Sequence, residues 1–295
     1  MKFIINIVIV LFVVTGYGQS KALKEFSKEE QKFYGSKLLQ AEYLLRKVKP
    51  MGIIAKQDAE IPKFLRFLMN GSIAVLSIGE IDMYLNDNKL DYADIGGSIQ
   101  DSLSRNKKGI YAKYFVIHDT STPNFKNKDF PSYINDDSWK QNNVKVRWKH
   151  KINKKTKEKE IRKGPHAFIG RTGEVFFPIE FSTPYRATKF ENKILNRSIS
   201  KGLFLHIELI QPRKSKKGKW KENDIIAPDP GFTKEQYEKL ALLYICASAR
   251  ADDWLIPAYH AVLDQGLKNG HDDPQNFDLV AFTDSIEELV KELTD

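Results

Sequence analysis

The side chains of this sequence that are best suited to chemistry are a few histidines and a late pair of acidic residues. His118 ends an apolar run, His260 follows another, and Asp272 and Asp273 come shortly after it. A catalytic zinc site takes three protein ligands and keeps one position for water. Two imidazoles and one carboxylate would leave such a site positively charged, so that it could polarise a carbonyl. The candidate ligands are far apart in the chain, however, and a histidine at the end of a strand is more often structural.

The segments that carry these side chains have the patterns of strands. Their β-branched and aromatic residues predict buried strands and hairpin arms. In chain order the predicted strands cover residues 111–118, 144–150, 167–169, 175–179 and 203–210. Thr233 then begins a helix with the capping-box pattern, and a last amphipathic helix covers about residues 285–293. This order predicts an α/β fold with a mixed central β-sheet flanked by helices.

The chain before this sheet is predicted to be a helical N-terminal appendage. Ser27-Lys28-Glu29-Glu30 has the form of a capping box, and an apolar periodicity follows it to Val48. Short helices broken by glycine and proline continue from there, and none of them carries a catalytic group. We place the boundary after Asn106, so that residues 20–106 form a helical region and residues 107–295 form the α/β domain.

The first residues predict export. Lys2 is the only charge in residues 1–20, and Phe3–Val14 is apolar apart from Asn6. This run is too short to span a bilayer comfortably, so residues 1–19 are predicted to be a cleaved signal peptide. The alternative is an uncleaved membrane anchor. The mature protein would then be periplasmic or extracellular, without stable insertion in the membrane.

Charge and cysteine content restrict the functions that fit. The formal net charge is +9, and residues 145–163 carry ten Lys or Arg against two Glu. This excess favours an anionic partner such as a cell-wall polymer, a membrane surface or nucleic acid. Loops that are simply exposed to solvent would have the same composition. The single cysteine, Cys246, cannot form an intrachain disulfide and is predicted to be a core residue.

Six short motifs follow one another through the second part of the chain. They are Tyr114–Thr120, His166–Ile169 with Gly173–Val175, Tyr185–Ala187, His206–Leu209, the capped helix from Phe232, and Tyr259-His260 with Asp273-Pro274 and Phe277-Asp278. Each is moderately specific, but six in this order are hard to obtain by chance. Together they resemble the type 2 N-acetylmuramoyl-L-alanine amidases, a zinc amidase family related to peptidoglycan recognition proteins.

The resemblance implies a set of metal ligands. By position, His118, His260 and Asp273 would bind one Zn²⁺ per chain. Asp272 is the competing third ligand, but Asp273 directly precedes the proline, as the family's ligand does. The fold implied is the mixed sheet flanked by helices that the strand pattern also predicts.

The resemblance also implies a reaction. It is hydrolysis of the amide bond between N-acetylmuramic acid and L-alanine, with peptidoglycan or a muropeptide, not nucleic acid, as the partner. Glu208 would be the general base that takes a proton from water. His271 occupies a position where many hydrolytic members have a lysine, and it would help to stabilise the oxyanion.

Several other positions depart from the family's pattern. Asp119 replaces the usual second histidine or aromatic residue, and Tyr185-Arg186 falls where the family has Trp-His. His150, His166 and His206 are predicted to be structural or surface residues.

Two other functions stay open. One is a binding module on the same fold that holds muropeptide without cutting it. The other is a basic exported protein that binds a polyanion through residues 145–163.

Overall fold

The computed structural model describes residues 25–126, 128–195, 200–215 and 225–294. The predicted signal peptide lies outside these residues. In the first part the elements are β1 Phe26–Ser27, β2 Lys32–Phe33, α1 Lys37–Leu44, β3 Val48–Lys49, β4 Ile53–Ile54, α2 Lys63–Met69 and α3 Ile78–Asp87, with short 3-10 turns at Pro50–Gly52 and Tyr92–Asp94. Within the described residues, no helix has both the length and the apolar character needed to cross a membrane.

The second part contains the main sheet and the longest helices. Its elements are β5 Tyr114–Asp119, α4 Val144–Arg147, β6 His150–Ile152, β7 Lys159–Ile161, β8 Ala167–Ile169, β9 Val175–Phe176, a π-helical turn at Phe190–Ile194, β10 Phe204–Leu209, β11 Lys214–Ser215, β12 Ile225–Ile226, α5 Lys234–Ala251, β13 Ile256–Tyr259, α6 His260–Leu263 and α7 Leu279–Thr294.

Five strands form the central sheet in the order β13-β5-β10-β8-β9. The first four are parallel to their neighbours, and only β9 is antiparallel, to β8. The sheet is therefore mixed and flanked by helices, which confirms the predicted class. Parallel strands buried on both faces read as continuous apolar runs, and all six residues of β5 are buried.

The long helix α5 covers the sheet for reasons that were visible in the sequence. Thr233 caps it: its side chain accepts a hydrogen bond from the Gln236 amide at 3.2 Å, and Gln236 accepts one from the Thr233 amide in return. The ring of Phe232 lies 6.1 Å from that of Tyr237, as in a hydrophobic staple. The predicted helix is confirmed, and Cys246 is buried on it.

Residues of the first part share the core of the second. The hydroxyl of Tyr114, on β5, donates to Gln40 in α1 and accepts from the amide of Phe33, both at 2.8 Å. On α5, Arg250 donates to the carbonyl oxygens of Gly96 and Asp101. Residues before 107 are thus joined to the sheet by buried contacts, and the division at residue 106 stays a sequence prediction.

Two predicted elements were wrong. The helix expected after Ser27 begins only at Lys37, because the chain first turns back as the β1–β2 hairpin, in which Phe26 faces Phe33. The strand expected over residues 144–150 is a helical turn to Arg147, and the hairpin with the lysine-rich tip begins at His150.

Candidate metal centre

Three buried side chains converge at the carboxyl end of the central sheet. His118 is the penultimate residue of β5, His260 begins α6 directly after β13, and Asp273 lies between α6 and α7. Their exposed fractions are 1%, 3% and 3%. Because β5 and β13 are parallel neighbours, both strands end at the same edge of the sheet. Ligands usually bind at this edge in α/β sheets.

The donor atoms of these residues fit a tetrahedral metal ion. The Nδ1 atoms of His118 and His260 are 2.8 Å apart, His260 Nδ1 is 3.1 Å from Asp273 Oδ2, and His118 Nδ1 is 3.8 Å from that oxygen. Zinc bonds of about 2.0–2.2 Å at tetrahedral angles place neighbouring ligand atoms about 3.3 Å apart. The three distances bracket that value, so this buried group could hold a metal ion.

A carboxylate lies beside the His260 ring. Nε2 of His260 is 3.1 Å from Oδ2 of Asp264, one helical turn further along the chain, in an ion-pair contact whose angles do not form a hydrogen bond. Asp264 is held in turn, since its Oδ1 accepts a hydrogen bond from the Phe190 amide at 2.9 Å. A carboxylate facing Nε2 favours the tautomer with its proton there. The lone pair of His260 Nδ1 is thereby directed to the metal position.

A second chain of contacts does the same for His118. Its Nε2 lies within hydrogen-bond distance, 3.0 Å, of Nδ1 of His206. Nε2 of His206 lies 3.2 Å from Oε2 of Glu191, in an ion-pair contact whose angles do not form a hydrogen bond. Both His206 and Glu191 are 0% exposed. With the carboxylate facing Nε2 of His206, the Nδ1 of that ring is left as an acceptor for the His118 Nε2 proton. This arrangement leaves His118 Nδ1 free to bind a metal.

The electrostatics of the group also suit a cation. Burial, with the neighbouring His260, lowers the pKa of His118 well below its usual range, so that this ring is neutral. Burial opposes charge on His260 as well, yet the carboxylates of Asp273 and Asp264 outweigh it and raise the pKa of His260 well above its usual value. Burial would likewise raise the pKa of Asp273, but His260 outweighs it and lowers that pKa. A proton and a metal ion therefore compete for His260 Nδ1.

Glu208 lies beside this group on the central strand β10. It is in register with His118 on β5, so the two side chains emerge on the same face of the sheet. Burial, with the nearby charge of Asp273, raises the pKa of Glu208 well above its usual value. A half-buried carboxyl of this kind beside a metal position is suited to accept and return a proton.

His271 lies between the ligand group and solvent. Its ring is stacked on that of His260 with centroids 4.1 Å apart, and its side chain is 44% exposed. Its Nδ1 is 2.7 Å from Asp264 Oδ2. His260, Asp264 and His271 form a second group of possible ligands, but stacked rings direct their lone pairs along nearly parallel planes, which suits a shared metal poorly.

The neighbouring aspartates have other roles. The Asp272 carboxylate accepts a hydrogen bond from Gln275 at 2.8 Å and is in neither group of possible metal ligands found among the described residues. The Asp119 carboxylate forms a fully buried ion pair with Arg213 at 2.6 Å, and its backbone amide donates to Asp273 Oδ2 at 3.1 Å. Burial, partly offset by Arg213, raises the pKa of Asp119 to about 6. The backbone amide of Asp119 therefore helps to hold the Asp273 carboxylate in place.

The structure adds residues that the sequence interpretation missed. Glu191 and Asp264 were not recognised, and His206 was assigned only a structural role. His166 is buried beside His206, from whose amide it accepts a hydrogen bond at 3.0 Å, and burial lowers its pKa to about 3. Asp264 could have been found as an acidic residue four positions after a candidate ligand that begins a helix.

Comparison of the chain with protein-family models, with curated proteins and with solved structures found no match.

Proposed function

We propose that this protein is a zinc-dependent N-acetylmuramoyl-L-alanine amidase. The observation that carries the proposal is the convergence of His118 Nδ1, His260 Nδ1 and Asp273 Oδ2 at the carboxyl edge of the sheet, with Glu208 in register beside them. Two neutral imidazoles and one carboxylate are a common catalytic zinc set. The resemblance of six ordered motifs to the type 2 amidases supplies the substrate, and the mixed sheet flanked by helices agrees with the class of fold that the resemblance implies.

Each residue of the proposed site has its own role in amide hydrolysis. A bound Zn²⁺ would polarise the scissile carbonyl and acidify water. Glu208 takes the proton of the attacking water and passes it to the leaving amine of L-alanine. His271, held by Asp264 at the solvent side, donates a hydrogen bond to the oxyanion. Asp264, together with Glu191 acting through His206, holds the two imidazoles in the tautomers that this arrangement requires.

The predicted signal peptide supports export, because peptidoglycan lies outside the cytoplasm. In this proposal the mature protein is periplasmic or extracellular and binds peptidoglycan or muropeptide.

The decisive experiment is mass spectrometry of purified peptidoglycan after incubation with the protein. The proposal expects free stem peptides that begin with L-alanine and intact glycan strands, and it expects both to disappear with a chelator and to return when zinc is restored. Glu208→Gln is the matched control, since it should keep the metal and lose the products. Zinc-loaded wild-type protein that releases no stem peptide would refute the proposal.

A non-catalytic muropeptide-binding module is the second candidate. The observation that favours it is His271 at the position of the family's lysine. Stoichiometric zinc and saturable muropeptide binding without any cleavage would support it over the amidase.

A further inference from the structure

Most of the net charge of this protein lies in one segment, which contains most of α4 and the β6–β7 hairpin. Residues 145–163 hold ten basic and two acidic residues, so this segment accounts for +8 of the formal +9, and the rest of the chain is nearly neutral. Charge of one sign on so short a segment creates a strong local potential. None of the three candidate metal ligands lies in this segment.

The same hairpin exposes apolar side chains. In the β6–β7 pair, His150 faces Ile161 and Ile152 faces Lys159. Ile152 and Ile161 therefore lie diagonally across one face, within reach of each other, with Lys159 beside them. They are 60% and 64% exposed. An apolar pair surrounded by lysine is unusual for a face that only has to stay in water.

The tip of the hairpin is an ordered turn. The Asn153 amide donates to the Glu158 carbonyl at 2.8 Å, and the Asn153 side chain accepts from the Lys155 amide at 2.9 Å. This turn presents the exposed side chains of Lys154, Lys155 and Lys157 beyond the two isoleucines. Cationic and apolar groups thus project together from this hairpin.

We propose that this hairpin docks the protein on an anionic lipid surface. Lysines attract anionic headgroups, and an isoleucine pair can enter the interfacial region, as in amphipathic segments that lie on membranes. A soluble anionic polymer offers charge but no apolar layer, so it would not account for Ile152 and Ile161.

The position of the hairpin relates this docking to the metal site. At its base, the Arg162 guanidinium lies 5.3 Å over the ring of Phe168, which is the cross-strand neighbour of Glu208. Docking would therefore hold the candidate metal centre near the membrane surface.

The test is co-sedimentation with vesicles of phosphatidylcholine alone or with about one third phosphatidylglycerol. Ile152→Ser/Ile161→Ser removes the apolar pair and keeps every charge. Ile53→Ser/Val280→Ser is the matched control, because those side chains are 53% and 54% exposed on other elements. All proteins are compared in the mature form that begins after residue 19, so the apolar run of the predicted signal peptide does not contribute to vesicle binding. A chelator is present throughout, which makes the result independent of the proposed metal function.

We expect wild type to bind the anionic vesicles and not the neutral ones. The Ile152→Ser/Ile161→Ser variant should lose at least about tenfold in partitioning, whereas the control stays within about twofold. Lys154→Gln/Lys155→Gln/Lys157→Gln should lose about a hundredfold at low salt.

Three results would overturn the proposal. One is no binding of wild type to anionic vesicles, and another is an equal loss in the control variant. The third is unchanged vesicle binding by the isoleucine variant, which would indicate a purely electrostatic contact; equal binding to soluble heparin would then identify an anionic polymer as the partner.

Discussion

Glu191→Gln tests whether the buried contacts from His118 to His206 and Glu191 increase the affinity of the site for a metal ion. The substitution keeps the size of the side chain and an oxygen that can accept the hydrogen bonds from Thr188, whose amide and hydroxyl lie 3.1 and 2.8 Å from Oε2. It removes the negative charge that faces His206 Nε2. The preference for one tautomer of His206 weakens, and with it the preference that leaves His118 Nδ1 unprotonated.

The expected loss of zinc affinity follows from the position of Glu191 relative to His118. Loss of an outer partner of a metal-binding histidine typically weakens metal affinity by about 10- to 100-fold. Glu191 acts through an intervening ring and glutamine retains the local hydrogen bonds, so the lower figure applies. We expect the zinc dissociation constant to rise about tenfold, or about 1.4 kcal/mol. His206→Phe removes the acceptor for His118 Nε2 itself and should lie near the upper figure.

The assay is competition for zinc against a chelator of known affinity at fixed pH, with thermal unfolding followed in parallel. Ser200→Ala is the control: Ser200 is fully buried and donates to the Glu191 backbone carbonyl at 3.3 Å, so it perturbs the same segment without touching the carboxylate. Nitrogen-15 spectra of the imidazoles give a second readout, because a purely structural role would not change the tautomer of His118. Wild-type zinc affinity in Glu191→Gln, or an equal loss in Ser200→Ala, would refute the reasoning.

The remaining predictions concern the candidate metal ligands and the residues closest to them. The protein should take up about one zinc per chain by elemental analysis, and His118→Ala and His260→Ala should each abolish stoichiometric binding; no zinc in wild type after incubation with excess metal would contradict the site. Glu208→Gln should keep zinc and lose activity by about 10² to 10⁴, the usual contribution of a positioned general base, so full activity would remove Glu208 from the mechanism. His271→Ala should keep zinc and lower kcat with little change in KM, by about 2–4 kcal/mol in the barrier, and loss of zinc there would place His271 among the ligands. His271→Lys should keep activity close to that of wild type, because a lysine at this position can also donate a hydrogen bond to the oxyanion.

Local signals in the sequence were sufficient for most of the sheet. The apolar run ending at His118, the strand carrying Glu208 and the cap at Thr233 each depend on neighbours within a few residues, and each appears in the structure close to the predicted bounds. Such features are encoded by side-chain alternation and by capping chemistry, which a single sequence displays directly.

The failed predictions show where a local signal is not sufficient. Ser27 does accept a hydrogen bond from the Glu30 amide at 3.1 Å, as its capping pattern suggested. The chain then adopts positive φ at Gln31, in the turn that brings Phe33 back to pair with Phe26. The rings of Phe26 and Phe33 meet edge to face at 5.0 Å in the core. Burial of two aromatic rings outweighed a cap that is worth about 1 kcal/mol.

The residues that contact the candidate ligand His118 could not be identified from the sequence, for a different reason. Glu191, His206 and His118 come from separate parts of the chain, and their contacts exist only after β10 pairs with β5. No periodicity links such residues. A buried glutamate is recognisable as unusual only when its burial is known.

In the proposed mechanism, Asp264 would allow a histidine to act where the resembled family has a lysine. A lysine ammonium reaches its target on a flexible stem, whereas the ring of His271 is fixed by stacking on His260 and by its 2.7 Å contact with Asp264. The same carboxylate oxygen lies 3.1 Å from His260 Nε2, so one group contacts both a candidate metal ligand and the proposed oxyanion donor. Any movement of Asp264 would disturb both at once, and this coupling is the physical reason to treat His271 as part of the site and not as a loop residue.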